Sequence, residues 1–275
     1  MKYPYEKEFI RYCKTEKHYS DSTMLVVNRS IAVFWKYYKD SYYDKEVKLD
    51  NVEASDIQNF LNNLETKLQM KKNTINKYLS HIRLYFTFLY SHKLVSQYPM
   101  LEINGRKFNR QHIYIINWME KLPQIAQIEN ISPVTVKMML GIGLGYFPDE
   151  VLRLRYNDVI DQITAPSLRQ YITENTDFDQ DPNPYILGKK FGGYYASDFH
   201  LAQVARADRK KIGMDITLQN LRLSYVYSIL NQEDLTDKEL KKILRVNSKT
   251  LFYYRQNMER YNTLKEFEMP EKDKE

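Results

Sequence analysis

Apolar residues recur every three or four positions along much of the chain, which is the spacing of helices that bury one face. The first such stripe runs through residues 21–43 and starts at Asp21-Ser22-Thr23, side chains that favour the beginning of a helix. Similar stripes run through residues 54–68 and 73–93. We therefore predict three amphipathic helices in this part of the chain.

The helical pattern breaks near residue 100. Pro99 and the basic segment Gly105–Arg110 have the composition of a linker between domains. The end of the chain, from Lys265, is charged and contains Pro270, so we expect it to be mobile. The predicted organisation is a helical domain at 1–100, a basic linker at 101–112, a second domain at 113–262 and a mobile tail at 263–275.

The second domain mixes two periodicities. Helical spacing is predicted at 113–129 and 132–144, whereas residues 159–187 alternate or are rich in turn residues. We therefore predict a small sheet there, with strands that use Ile160, Ile163, Leu168, Tyr171 and Ile172. Helical patterns return at 199–212, 218–230, 237–244 and 248–261.

Composition excludes several classes of protein. With 43% hydrophobic and 28% charged residues, 8 glycines and 9 prolines, the 275-residue chain is typical of a folded domain. It contains 1 cysteine and no apolar run long enough for a membrane span, which favours a cytoplasmic, nucleoid-associated protein. Its 5 histidines do not show zinc-site spacing, so we expect no metal and no cofactor.

Charge is unevenly distributed. The whole chain is +6, yet residues 66–112 alone carry nine basic side chains against Glu102. A basic stretch on helices is what phosphate contacts require, although a solvated face has the same composition, and both interpretations stay open. The candidate DNA-binding residues in this stretch are Lys71, Lys72, Asn73, Lys77, Arg83, Arg106 and Lys107.

Two segments of the second domain resemble motifs of a known family. Gly145–Val159 is similar to the first box of tyrosine recombinases, TGLRxxELxxLxxxDI, and Gln219–Ser224 is similar to their second box, HxLRH[ST]. The resemblance to this phage-integrase and Xer type of recombinase implies a mainly α, two-domain clamp around DNA. It would combine a helical core-binding (SAM-like) domain with a mostly helical catalytic-like domain that holds a small β-sheet.

The chain departs from the family at most positions that carry chemistry. Phe147 occupies the slot of the family's first arginine, Gln219 occupies that of a histidine, and no lysine lies between residues 156 and 188, where the sheet lysine is expected. Only Arg222 stands in its expected place. Because strand exchange needs several positive groups around one phosphate, we expect the chain to lack recombination chemistry.

The third box and the nucleophile are also altered. The third box aligns with Leu244-Arg245-Val246, and the family's tyrosine falls on Tyr253 or Tyr254 only if two residues are deleted. The chain has 24 tyrosines, so a tyrosine near this position is also expected by chance. An active but divergent recombinase that uses Arg222 with Tyr253 or Tyr254 remains an alternative.

Residues 235–255 also resemble a helix-turn-helix, whose second helix would enter the major groove. Thr250 and Tyr254 would join the DNA-facing side chains in that case. The remaining candidate DNA-binding residues are Lys189, Lys190, Arg222, Arg245, Ser248, Lys249, Tyr253 and Arg255.

The sequence therefore predicts a sequence-specific protein that binds double-stranded DNA on a recombinase-like fold without recombining it, such as a transcriptional repressor of a phage or mobile element. A second alternative is an accessory or architectural recombination factor. It would associate with itself or with a partner protein through the C-terminal tail.

Overall fold

The computed structural model describes residues 2–42 and 48–270. The chain forms two compact units, residues 1–109 and 110–275, and the division lies inside the predicted linker. Both units are mainly helical, as predicted. Residue 43 of the first predicted helix and residues 271–275 of the predicted tail lie outside the described residues. No helix in the described ranges is both long enough and apolar enough to cross a membrane.

The first unit is a helical domain with an aromatic core. Its three predicted helices are confirmed, and a shorter helix that we did not predict precedes them. Phe34 lies at the centre of the core, with its ring centroid 5.3 Å from that of Phe60 and 6.3 Å from that of Phe86. The helices are α1 (Glu6–Thr15), α2 (Asp21–Ser41), α3 (Ala54–Thr66) and α4 (Lys72–Ser91), with a short 3-10 helix at Leu49–Asn51.

The start of the predicted linker is fastened to α4. The Asn76 side chain accepts a hydrogen bond from the Arg106 N–H at 2.7 Å and donates one to the Arg106 carbonyl at 2.9 Å. Arg83 donates to the Ile103 carbonyl at 2.5 Å, and the Ile103 side chain is buried. Residues 103–106 therefore belong to the first unit and do not form a free linker.

The second unit is built around one mostly buried helix, Leu218–Leu230. Its neighbours include the helix Pro133–Gly143, the strand His112–Ile116 and the two helices that follow it in the chain. The elements are β1 (His112–Ile116), α5 (Leu122–Ile125), α6 (Pro133–Gly143), α7 (Pro148–Val151), α8 (Tyr156–Val159), α9 (Pro166–Glu174), α10 (Phe199–Ala205), α11 (Arg209–Ile212), α12 (Leu218–Leu230), α13 (Asp237–Leu244), α14 (Ser248–Tyr261) and β2 (Asn262–Glu266), with 3-10 helices at Met119–Lys121, Ile160–Gln162 and Arg206–Asp208.

The sheet predicted within residues 159–187 is wrong. That region forms α9 and the turns before it, because Pro166 starts the helix at a position that needs no N–H donor, and Leu168 and Ile172, one turn apart, bury the same face. The prediction of a helix over residues 113–129 is also wrong at its start. Residues 112–116 form β1, since pairing with a distant strand overrides the local pattern.

The small sheet instead joins the two ends of the second unit. Strands β1 and β2 pair in parallel, with His112 opposite Asn262 and Ile116 opposite Glu266. The next residue, Phe267, donates its N–H to the Ile116 carbonyl at 2.9 Å, and its ring is buried. The mobile tail predicted from residue 263 is therefore wrong for residues 263–267, which are part of the fold.

Two serines of α12 fix the end of β1. Ser224 accepts a hydrogen bond from the Trp118 indole N–H at 2.9 Å and donates one to the Ile115 carbonyl. Ser228 accepts the Asn117 N–H at 2.8 Å. The Ser224 and Ser228 side chains are both buried, so these bonds satisfy their hydroxyl groups inside the unit and hold β1 and its turn at a fixed position on α12.

We predict that Phe267→Ala lowers the free energy of unfolding of the second unit by about 3 kcal/mol, because it removes a buried aromatic ring. The chain has 2 tryptophans, Trp35 in the first unit and Trp118 in the second. Urea unfolding followed by Trp118 fluorescence in a Trp35→Phe background isolates the relevant transition. Met269→Ala, at a partly exposed position two residues on, is the control. Equal stability of the two variants would show that this segment is a loose tail.

Candidate nucleic-acid interface

Arg222 lies in the middle of the second unit with its side chain almost completely buried. Its Nη1 donates to the Gly145 carbonyl at 3.0 Å and its Nη2 donates to the Leu244 carbonyl at 2.6 Å. Burial lowers the pKa of the guanidinium from its ordinary value, but a guanidinium remains charged in proteins. Arg222 therefore joins the turn before α7 to the turn after α13.

Two aromatic rings cover the Arg222 guanidinium. Its Cζ lies 4.4 Å from the ring centroid of Phe147 and 5.1 Å from that of Tyr225. Such contacts stabilise a cation through the negative face of the ring, most strongly where water is excluded. We predicted a DNA contact at Arg222, and this stays a prediction. The observed contacts favour a structural role, because both terminal nitrogens donate to backbone carbonyls and the side chain is buried under two rings.

Phe147 lies between two arginines. Its other neighbour, Arg245, has its Cζ 4.9 Å from the same ring. Arg245 also forms a bidentate ion pair with Glu150, with both N–O distances at 2.7 Å. The Glu150 carboxylate accepts the Phe147 N–H at 2.8 Å as well, so it caps the start of α7. The hydrogen bonds from Arg245 hold the pKa of Glu150 below its usual value.

Gly145 allows the turn before α7 to approach α12. It adopts a φ of +90°, in the region that favours glycine, and a Cβ at this position would lie 3.2 Å from the Tyr225 hydroxyl. Only glycine therefore presents its carbonyl to Arg222 without displacing Tyr225. Gln219, at the slot of the family's histidine, is exposed on the first turn of α12.

The two candidate nucleophiles are neighbours on α14. Tyr253 is 60% exposed, whereas Tyr254 is partly buried, with its ring 6.3 Å from that of Tyr227. Tyr254 is also close enough to interact electrostatically with Arg222. Of the two tyrosines, Tyr254 is the one whose ionised form would interact with the Arg222 guanidinium.

Helices α13 and α14 form the two helices of the predicted helix-turn-helix. Arg245 occupies the position where glycine is usual and adopts a left-handed φ of 57°. Asn247 accepts the Thr250 N–H at 2.9 Å and so starts α14. Arg255 of α14 forms an ion pair with Asp237 of α13, with an N–O distance of 2.6 Å, and so joins the two helices.

Several candidate DNA-binding side chains on α14 face solvent. The candidates Ser248, Lys249 and Tyr253 are exposed, as is Phe252, and Ser248 accepts a weak hydrogen bond from Lys241 at 3.3 Å. This part of α14 could present both charge and aromatic surface to a ligand. Val246, at the slot of the third box, is only partly exposed and carries no charge.

In the first unit, the basic candidates divide into two groups. Arg106 is paired within the unit: its Nε donates to the Glu65 carboxylate at 2.8 Å, and its Nη2 donates to the Asn62 side-chain oxygen, Oδ1, at 2.5 Å. Arg83 binds a backbone carbonyl, as described above. The exposed candidates are Lys71, Lys72, Asn73, Lys77 and Lys107.

Lys189 and Lys190 lie at an exposed turn of the second unit. The antiparallel Gly188–Tyr194 bridge closes the turn, and a second bridge, Arg155–Tyr185, lies just before it along the chain. The sequence places no lysine between residues 156 and 188, and the structure shows that the first lysines after that gap stand at the tip of a hairpin-like turn.

Two interactions could not be predicted from the sequence: the ion pair between Arg245 and Glu150, and the hydrogen bonds by which Asn76 holds Arg106. Glu150 and Arg245 are 95 residues apart, and no local pattern links them. Asn76 is 30 residues from Arg106 and is hidden among the polar residues of a helix. The glycine at residue 145 was visible in the sequence as a helix break, but its contact with Tyr225 was not.

Comparisons with known proteins agree on one family. Residues 7–93 match the model of the phage integrase N-terminal SAM-like domain. Tyrosine recombinase XerD of Oceanobacillus iheyensis is 26% identical over 157 residues, which cover 56% of this chain and 52% of the relative. A structure of lambda integrase (75–356) bound as a dimer to a COC′ core site has a TM-score of 0.65 at 13% identity, with 97% of each chain covered. Residues 7–93 are thus similar to the N-terminal domain of phage integrases, and the chain as a whole is similar to tyrosine recombinases.

Other comparisons extend the same result. Tyrosine recombinase XerC of Leptospira interrogans is 23% identical over 168 residues, which cover 58% of this chain and 52% of the relative. The Tn1549 transposon integrase, solved with circular intermediate DNA, has a TM-score of 0.61 at 12% identity, with 90% of this chain and 94% of that chain covered. The chain spans about half the length of the curated relatives it matches, and the structural likenesses concern the fold.

We predict that Arg222→Ala lowers the free energy of unfolding of the second unit by about 3 kcal/mol, because it leaves two buried carbonyl oxygens without a charged donor. Trp118 fluorescence during urea unfolding measures this loss. Arg153→Ala, at an exposed arginine of the same unit, is the matched control. A variant that is as stable as the wild type but no longer binds DNA would instead assign Arg222 to a phosphate contact.

We predict that Glu150 and Arg245 stabilise the fold jointly by about 0.5–1 kcal/mol at neutral pH, since the pair is partly exposed. The folded-state pKa of Glu150 is lowered, so this contribution is present above about pH 4.3 and is lost as the pH falls through the folded-state pKa.

A double-mutant cycle with Glu150→Gln and Arg245→Gln, measured by urea unfolding at pH 7 and at pH 3.5, tests this expectation. Gln replaces Arg245 in the same left-handed conformation in both arms, so the backbone strain cancels. A coupling energy that is equal at the two pH values would show that the pair is not held by charge.

Proposed function

We propose that this chain binds duplex DNA at specific sites without recombining it, and that it acts there as a regulator such as a transcriptional repressor of a phage or mobile element. The observation that carries the proposal is Phe147. It occupies the slot of an arginine, and its ring lies against the Arg222 guanidinium.

The pairing of Arg222 and Arg245 supports the proposed loss of strand-cleavage chemistry. Phosphoryl transfer to a tyrosine moves negative charge onto a phosphate, and preorganised donors must face that phosphate. Here Arg222 is bonded to two backbone carbonyls and Arg245 is paired with Glu150. Each missing donor lowers the rate of strand cleavage by about 10²–10³, and Phe147 and Gln219 occupy two further slots where the family has a donor.

The basic surfaces support retained DNA binding. Lys72 and Lys77 are exposed on α4 within the stretch of net charge +8, and Lys249 is exposed on α14. Phosphate contacts from such lysines provide affinity, while side chains that reach base edges provide specificity. The solved relatives with this fold include lambda integrase on a core site and Tn1549 integrase on circular intermediate DNA.

The test is to incubate the purified protein with sheared DNA of its source genome and to sequence the bound fraction at two salt concentrations. The proposal expects discrete sites in many promoter-proximal intergenic regions at both salt concentrations. One or two inverted-repeat sites at the junction of an element would favour a recombinase. Diffuse binding that disappears at the higher salt concentration would show that the basic surface does not recognise a sequence.

One observation favours the second candidate, an active recombinase. Tyr254 is within electrostatic reach of Arg222, and Tyr253 is exposed beside it. To test this candidate, the same bound DNA is nicked so that the short strand released by cleavage diffuses away. Cleavage is then irreversible, and a covalent protein–DNA adduct accumulates and is detected on denaturing gels. A trapped adduct that is absent from the Tyr253→Phe, Tyr254→Phe double variant would overturn the proposal.

We predict that the double substitution Lys72→Ala, Lys77→Ala weakens DNA binding and reduces the slope of log K against log salt concentration by roughly two, about 0.9 for each phosphate contact that is lost. Binding isotherms across a salt series measure the slope. The matched control is Lys36→Ala, Lys39→Ala, which removes two exposed lysines of α2 and the same charge. Equal slopes for the two variants would show that the α4 lysines form only a solvated face.

A further inference from the structure

The most exposed large apolar side chain in the described residues is Phe191, which is 85% exposed. It lies in the turn that carries Lys189 and Lys190, where it is not needed for the core of its unit. The ring is not shielded by the chain, apart from the Lys190 ammonium, whose nitrogen lies 5.7 Å from the ring centroid. A bulky apolar group presented in this way is typical of a contact surface.

The turn holds Phe191 outward by its backbone. The Gly192 N–H donates to the Lys189 carbonyl at 2.9 Å, which places Phe191 at the third position of a tight turn. The Lys189 N–H donates to the Gly193 carbonyl at 3.0 Å and closes the loop. Gly192 and Gly193 adopt φ values of +88° and +80°, a conformation that other residues rarely adopt.

Aromatic and cationic groups support the base of the turn. The ring centroids of Tyr185 and Tyr194 are 5.6 Å apart, and the Arg153 Cζ lies 5.4 Å from the Tyr194 ring. The Lys189 ammonium lies 5.8 Å from the Tyr195 ring. Phe191 is therefore mounted on a short, braced support rather than on a long, loose loop.

The charge of the turn indicates the partner. Residues 182–197 contain two lysines and no acidic residue. An apolar tip flanked by positive charge fits a polyanion with apolar surface inside it, and duplex DNA has phosphates outside and stacked bases within. Proteins that bend DNA insert Phe, Leu or Met side chains between base pairs in this way, with basic residues on the adjacent phosphates.

We propose that Phe191 inserts between two base pairs of the bound duplex and bends it, while Lys189 and Lys190 contact the flanking phosphates. This rests on the proposed DNA binding, of which it would be one part. The insertion gives sequence preference without a hydrogen bond to a base, because pyrimidine–purine steps unstack more readily than other steps.

The experiment uses the full chain and a duplex of about 30 base pairs taken from the bound genomic fraction. Fluorophores at the two ends report bending by energy transfer, and permanganate oxidation reports any thymine that becomes unstacked. The wild type should shorten the end-to-end distance and give a localised reactive thymine. Phe191→Ala should abolish both signals and weaken binding by roughly tenfold, the scale of a lost aromatic contact with a base.

Two further variants keep the result interpretable. Phe191→Leu retains an apolar wedge and should preserve most of the bend, whereas Phe199→Ala removes another exposed phenylalanine of the same unit, 61% exposed, and should change neither signal. Circular dichroism confirms that each variant is folded.

The failure of this inference differs from that of the proposed function. If the wild type binds no duplex, both proposals are overturned. If it binds and Phe191→Ala bends, unstacks and binds DNA as the wild type does, only the insertion is overturned, and Phe191 belongs to a surface for another partner.

Discussion

The second unit depends on a buried positive charge that is bonded to backbone carbonyls. Arg222 is placed by α12, and its two terminal nitrogens reach the turn before α7 and the turn after α13. A guanidinium is suited to this role because it has five donors in a rigid plane and does not lose its charge. Removing it from water is costly, and the two carbonyls together with the two covering rings offset that cost.

The same contacts determine what the surrounding groups are able to do. Because Arg222 holds the Leu244 carbonyl, the turn that contains Arg245 has a fixed position, and Arg245 reaches Glu150 in a bidentate geometry. The start of α14 follows directly from that turn. The hydrogen bond from Arg222 of α12 to the Leu244 carbonyl therefore helps to position the exposed residues of α14, including Lys249 and Tyr253.

Much of the fold follows from the helical spacing of apolar residues. Helices α2, α3 and α4 have long stripes and clear first residues, so their existence and approximate limits are visible in the sequence. Helices α12, α13 and α14 also lie at the predicted limits, although α12 is buried on most sides and has no single apolar stripe. In contrast, β1 and β2 are each 5 residues long and pair across about 150 residues. Short strands contain too few residues for a pattern, and their partner is decided by the tertiary structure.

The candidate site was less accessible to sequence reasoning for a similar reason. The motif positions identified Phe147 and Arg222 as the residues to examine, but not that one covers the other. Residues 159–187 suggest strands because short helices separated by turns contain too few consecutive turns of helical spacing to be distinguished from alternation. Part of that segment has a structural role that the pattern does not show. Asp181 and Tyr185 both contact Arg155, which precedes α8, and so hold the loop after α9 against α8.

Phe147 and Glu150 also offset the charge of two neighbouring arginines. Two guanidinium groups, of Arg222 and Arg245, lie on the same ring, and like charges so close together repel. The negative face of the ring and the Glu150 carboxylate offset this repulsion. A Phe147→Arg substitution would remove the ring and add a third guanidinium group, so of these two compensating groups only Glu150 would remain.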